Sequence, residues 1–156
     1  MNMTVALWTA ALAVTGCLVG NEIAVGAFVH PQLWKLDGAV HARAAQVIAR
    51  IYGALAPFWY VATLLLNIAV TWSLYRSESS MAFRLAATAA VIWLCVIVWT
   101  VLALAPVNAE VAKWNLDDLP ANWQQRRVLW DRRHRLRIIL IGLAFLLMTV
   151  AILSRH

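Results

Sequence analysis

At 156 residues, 63% hydrophobic and 13% charged, with a mean hydropathy of +0.74, the chain is too apolar for an ordinary soluble domain, which averages nearer half apolar. Its length fits one compact polytopic membrane unit over residues 1–156 and leaves no room for a second domain. The net charge of +6 sits between four long apolar runs, so anionic lipid headgroups and a topology signal explain it better than nucleic-acid binding.

The first apolar run predicts a transmembrane helix over residues 3–29. No Lys or Arg precedes Lys35, so the run lacks the basic flank of a signal peptide and reads as a retained helix. Gly16 and Gly20 form a GxxxG step that permits close helix contact. Gly16, Val19, Glu22, Gly26 and His30 follow a three-to-four period, which puts Glu22 and His30 on roughly one face. They are too far apart along the axis for a direct bond but able to line one cavity. A carboxylate at this depth needs a partner or a proton. Asn21 lies about 100° off that face and is expected to meet a neighbouring helix. Pro31 stops the helix or turns it.

Asp37-Gly38 is a turn signal. From Ala39 a helical pattern runs without a break into a second transmembrane helix over residues 51–74. His41, Arg43, Gln46 and Arg50 fall near the membrane surface at its start, where arginines either snorkel or clamp a substrate oxygen. Pro57 is a kink candidate. Arg50, Pro57, Tyr60, Leu64, Asn67 and Thr71 share one stripe, the natural interior face because polar groups avoid lipid. Ser77, Ser79 and Ser80 offer a cap for the third helix, residues 81–105, which ends at Pro106 with Asn108 and Glu110 at its rim. Cys17 and Cys95 lie inside apolar runs and read as small buried thiols. Asp117-Asp118-Leu119-Pro120 marks a turn in the polar region, and a helical segment begins at Asn122. The fourth transmembrane helix spans residues 136–153.

Ten Lys or Arg fall on one side of this layout: Lys35, Arg43, Arg50, Lys113, Arg126, Arg127, Arg132, Arg133, Arg135 and Arg137. Three fall on the other: Arg76, Arg84 and Arg155. Together they are all 13. The positive-inside rule puts the ten in the cytoplasm and both termini outside, in a bacterial inner membrane. The expected fold is all-α: an antiparallel four-transmembrane-helix bundle with interfacial helical segments.

That layout gathers His30, His41, Arg50, Asn108, Glu110, Trp123 and His134 at one face, with Glu22 about 12 Å deeper. Two chemistries suit the set. In one, His or Glu takes a proton from an acidic carbon or phenol while Arg and Asn stabilise the oxyanion. In the other, imidazole and carboxylate bind a metal, although no HxH, HExxH or CxxC spacing supports it. Most tryptophans read as an interfacial belt, while Trp99, Trp114, Trp123 and Trp130 lie close enough to stack on a planar ligand. The terminal His156 is given no role.

These residues also carry a resemblance. Gly20-Asn21-Glu22 in an early helix, the helix-end pair His30-Pro31, the step Pro106-Val107-Asn108-Ala109-Glu110, and the run from Trp123 through Arg127, Trp130 and His134 to Arg137 are similar to the anthrone oxygenase-like family of small four-helix membrane proteins. The resemblance covers nearly the whole chain. It implies oxidation of a hydrophobic aromatic or polyketide-like substrate by O2, with no cofactor, as in fungal enzymes that convert an anthrone to an anthraquinone. The roles it suggests are Glu22 or His30 as base, His134 as partner in proton transfer, and Asn108 with Arg50 or Arg137 around the oxyanion. The substrate would enter from lipid and stack on Trp99 or Trp123, with Tyr60 and Asn67 on the interior face beside it. Two other readings compete. One is a copper, iron or manganese oxygenase with His30, His41 and His134 as ligands. The other is a non-enzymatic structural or transport-accessory protein. A homo-oligomer is compatible with each of these readings.

Overall fold

A computed structural model describes residues 3–76 and 80–154. The proposed cap residues Ser77 and Ser79, and Arg155 and His156, lie outside the described residues. Helix α1 (Met3–Ala24) passes through a π-helical turn (Val25–Val29) into α2 (His30–Leu33). After a tight turn comes α3 (Gly38–Tyr75), then α4 (Ser80–Trp99), a second π turn (Thr100–Leu104), α5 (Ala105–Val111) and α6 (Trp123–Leu153). These make four apolar helical spans, Met3–Leu33, Gly38–Tyr75, Ser80–Val111 and Trp123–Leu153, each long enough to cross a bilayer. The chain is an all-α, four-span integral membrane protein.

The spans outrun the sequence boundaries for identifiable reasons. Pro31 and Pro106, read from sequence as helix stops, each sit at the second position of a short helix just after a π turn. Proline lacks an N–H and clashes with the carbonyl four residues back; a widened preceding turn moves that carbonyl aside and the helix continues. The first span therefore reaches Leu33 rather than residue 29, and the third reaches Val111 rather than 105. α3 starts at Gly38 with Asp37 as its N-cap residue, and Pro57 lies inside it without interrupting it. α6 is one 31-residue helix, so no break separates an interfacial segment from a membrane helix at 136.

α1 and α4 each pack on both α3 and α6, and the up-down chain order makes those neighbours antiparallel. The outer surface is apolar, with Phe58, Trp72, Leu102 and Ile139 exposed, while Ala82, Ala86, Ala89 and Ala144 are fully buried. Between helices in lipid, small residues let backbones approach and gain dispersion contact. Two further expectations change. Cys17 and Cys95 are exposed on the outer surface rather than buried, because they fall on outward-facing stripes of their helices. The Gly16/Gly20 step is a helix contact at one residue only: a Cβ at Gly16 would come 3.3 Å from Phe145 of α6, but one at Gly20 would meet nothing within 4 Å. The close approach is at Gly26, where a Cβ would come 2.5 Å from Ile138 Cδ1 and 3.1 Å from His134. One apolar core includes Leu18, Val70, Trp93 and Met148. A smaller one joins Ala45, Leu104, Val107 and Trp130 at the other end.

Candidate active site

Buried charge collects where α1, α2 and the first half of α6 meet. On α6, Arg127, Trp130, Asp131, His134 and Arg137 recur every three or four residues, so they share a face, and all five are buried. Opposite them, Glu22 and His30 are each 3% exposed. Two similar units result. In the first, Arg137 Nη2 donates to Glu22 Oε2 at 2.6 Å and approaches His134 Nδ1 at 2.9 Å, with that Nδ1 3.4 Å from Glu22 Oε2. In the second, His30 Nδ1 lies 2.8 Å from Asp131 Oδ1 and 2.9 Å from Arg127 Nη2. Trp34 Nε1 donates to Asp131 Oδ2 at 2.7 Å.

Each imidazole thus holds its Nδ1 between a carboxylate and a guanidinium. A protonated nitrogen donates to the acid and a deprotonated one accepts from the arginine; His30 Nδ1 is within hydrogen-bond distance of both partners, whereas His134 Nδ1 is bonded to Arg137 with Glu22 farther off at 3.4 Å. The Nε2 atoms of both rings are buried with no hydrogen-bond partner among the described residues. Both rings lie nearly parallel to the Trp130 indole, at centroid distances of 4.6 and 4.5 Å, and 5.9 Å from each other.

Two hollows flank this cluster. One, of about 500 Å³, lies between α3 and α4–α5, with Glu22, Tyr60, Asn108, Trp130, His134 and Arg137 in its wall. The rest of its lining is mainly apolar, and its exposed rim carries Gly53, Pro57, Val61, Val101 and Ala105. These rim residues are apolar and belong to helices long and apolar enough to cross a membrane, and exposed Arg50 shares the rim with them. The other, of about 480 Å³, lies between α1–α2 and α6 and is lined by His30, Trp34, Asp131, His134 and Arg135. His134 belongs to both walls.

Five of the residues singled out from sequence for chemistry, Glu22, Arg50, Asn108, His134 and Arg137, meet at the first hollow together with Tyr60. Arg50 stands at the rim with its Nε donating to Ala112 O at 3.1 Å. His30 joins the second hollow instead. Asn67 is fully buried away from both and donates to Thr63 O and Thr15 Oγ1. Trp99 packs beside the smaller core. Trp123 stacks with Trp34 and meets His41 edge-on. His41 is thereby enclosed by indoles, with Trp34 edge-on at 4.6 Å, and among the described residues no group of three His, Cys, Asp or Glu is arranged to hold a metal ion. Glu110 pairs with Arg126 at 3.2 Å, outside the cluster. Asn21 accepts from Tyr52 on α3 at 2.8 Å, the neighbouring-helix contact expected of it.

Asp131, Arg127, Trp34 and Trp130 are the cluster members to which the sequence alone assigns no catalytic role. A signal exists for three of them: Asp131 is the one acid in α6, four residues after Arg127 and three before His134, with Trp130 beside it, which puts the set on one face. Trp34 carries no such signal, because its partner lies 97 residues away.

The sequence matches the family model described as anthrone oxygenase over residues 3–147. No curated protein and no solved structure matches the chain.

Proposed function

Since the chain belongs to the anthrone oxygenase family, we propose that it is a membrane-embedded oxygenase that removes a proton from a planar, hydrophobic aromatic substrate and lets the resulting anion react with O2. The observation that carries the reading is the buried Glu22–His134–Arg137 unit in the wall of a mainly apolar cavity whose rim lies among lipid-facing residues. A hydrophobic substrate reaches such a site from the bilayer, and a water-poor wall strengthens every electrostatic contact made inside.

Glu22 takes the proton from an acidic ring methylene. Arg137, 2.6 Å away, orients the carboxylate beforehand, and its charge compensates the new anion once Glu22 is neutral. Asn108 and Tyr60, in the same wall, supply N–H and O–H donors to the oxygen that gathers the charge. The carbanion passes electrons to O2, a C–O bond forms, and the hydroperoxide loses water to leave a carbonyl. In balance, the ring methylene and a molecule of O2 become a ring carbonyl and a molecule of water. The methylene carbon supplies all four electrons, so the scheme uses no other reductant and no resident cofactor.

The test is O2 consumption by purified protein in nanodiscs supplied with anthrone, with anthraquinone measured as product. Replacing Glu22 alone leaves Arg137 unpaired, so the decisive variant is E22Q/R137Q, which keeps the cluster neutral. It should fold and lose turnover by on the order of 10²–10⁴, the usual contribution of a placed general base. Anthrone oxidation at the wild-type rate in this variant overturns the assignment. So does a stoichiometric copper, iron or manganese content that disappears with H134Q.

A further inference from the structure

We infer that the second hollow, between α1–α2 and α6, is a water-side proton port for the buried site, with His30 and Asp131 as its relay. What it adds to the proposed function is a separate route for the proton; it rests on that reading only for the proton's origin. Three observations carry it. First, the hollow's wall carries His30, Asp131 and His134, and its rim includes exposed Arg135 beside Ala27 and Pro31. An arginine belongs at headgroups or water rather than among acyl chains; the first hollow also has an arginine at its rim, Arg50, but that guanidinium is tied to Ala112 O and the other exposed rim residues there are apolar. Second, His134 lines both hollows, and its Nε2 edge faces α1 at Gly26, on the side of the second hollow. It is thus the one imidazole in contact with Glu22 on one side and with the second hollow on the other. Third, His30 and His134 both present unpartnered buried Nε2 atoms and both hold Nδ1 between an acid and an arginine. A proton arriving at His134 from Glu22 therefore has a second acceptor nearby, its ring centre 5.9 Å away. Asp131 then stabilises the proton on His30, while Arg127 satisfies the same nitrogen once the proton has left.

The division of labour is physical. A substrate mouth open to lipid cannot also discharge protons, because hydrocarbon has no acceptors. The overall reaction releases water and no net proton, so the port passes the methylene proton out to water and returns one when the hydroperoxide loses its hydroxide as water.

Thiol accessibility in nanodiscs tests the port without reference to activity. In a C17A/C95A background, A27C on the rim of the second hollow should react with a charged, membrane-impermeant thiol reagent. V101C on the rim of the first should react only with an uncharged, lipid-soluble one. Failure of A27C to react with the charged reagent, or equal reaction of V101C, overturns the port whether or not anthrone is a substrate. With turnover in hand, R127Q/D131N, which keeps the buried cluster neutral, should lower kcat by on the order of 10²-fold at unchanged KM, and added imidazole buffer should restore it. A double variant that keeps both its rate and its indifference to buffer rejects the relay while leaving Glu22 as base untouched.

Discussion

Glu22, Asp131, Arg127 and Arg137 form a buried set of two negative and two positive charges, neutral overall when both imidazoles are neutral. Removing one member of such a pair strands its partner, which costs about 3–5 kcal/mol in comparable buried pairs. That is why a neutral double replacement reports on chemistry where a single one confounds it with stability. The same crowding sets the tolerance of Gly26. A methyl there meets Ile138 Cδ1 at 2.5 Å and the His134 ring at 3.1 Å. Ile138 can turn aside, but His134 is held by Arg137 and stacked along Trp130. G26A should therefore lose about 1–3 kcal/mol, as small-to-large changes at tight contacts do, whereas G20A, with nothing within 4 Å, should be neutral. Thermal unfolding of the two variants in the same detergent checks this, and equal losses would show that α1 is not clamped at Gly26.

At the scale of elements, the two π turns build the site. Each precedes a residue-proline pair, His30-Pro31 and Ala105-Pro106, in the same register. Eight residues of uninterrupted helix separate His30 from Glu22 by about 80° of rotation, and the extra residue of a π turn takes back about 100°. The turn thus swings His30 onto the Glu22 face. The second turn precedes Asn108, which borders the cavity. Periodicity in the sequence brings Glu22 and His30 to within about 80° of each other but not to the separate hollows they line, whereas the unbroken pattern after Ala39 is enough to find the continuous α3. Both prolines read as stops, because composition carries the breaker but not the widened turn that accommodates it. The partition of the cluster into two hollows is illegible for a similar reason, since it depends on contacts about 100 residues apart. Arg133 ties the second π turn to α6 by donating from Nη1 to Ala103 O at 2.6 Å. R133M should cost about 1.5–3 kcal/mol, the range for a hydrogen bond to a charged group. R132M, at the exposed neighbouring position, should stay within about 0.5 kcal/mol. Equal unfolding temperatures for the two would show that the strut contributes nothing.

At the scale of the molecule, charge asymmetry and burial together predict an orientation for the bundle. Ten of the 13 Lys and Arg belong to the end that carries residues 30–50 and 106–137. Arg127 and Arg137 are buried in ion pairs inside the bundle and do not act as solvated topology signals, which leaves eight against Arg76, Arg84 and Arg155. Positive charge near helix ends is retained in the cytoplasm, and acids count for little, so the asymmetry survives the correction. The expected orientation puts the turn at residues 34–37, the 112–122 segment and the mouth of the second hollow at the cytoplasmic face, with the C-terminus on the opposite side. Alkaline phosphatase fused after residue 156 should be active in a bacterial host and a green fluorescent protein at the same site dark, with the converse for fusions at residue 117. The reversed pattern would turn the second hollow outward, so that the buried site would exchange protons with the side opposite the cytoplasm, and the accessible side of A27C in oriented membranes would reverse with it.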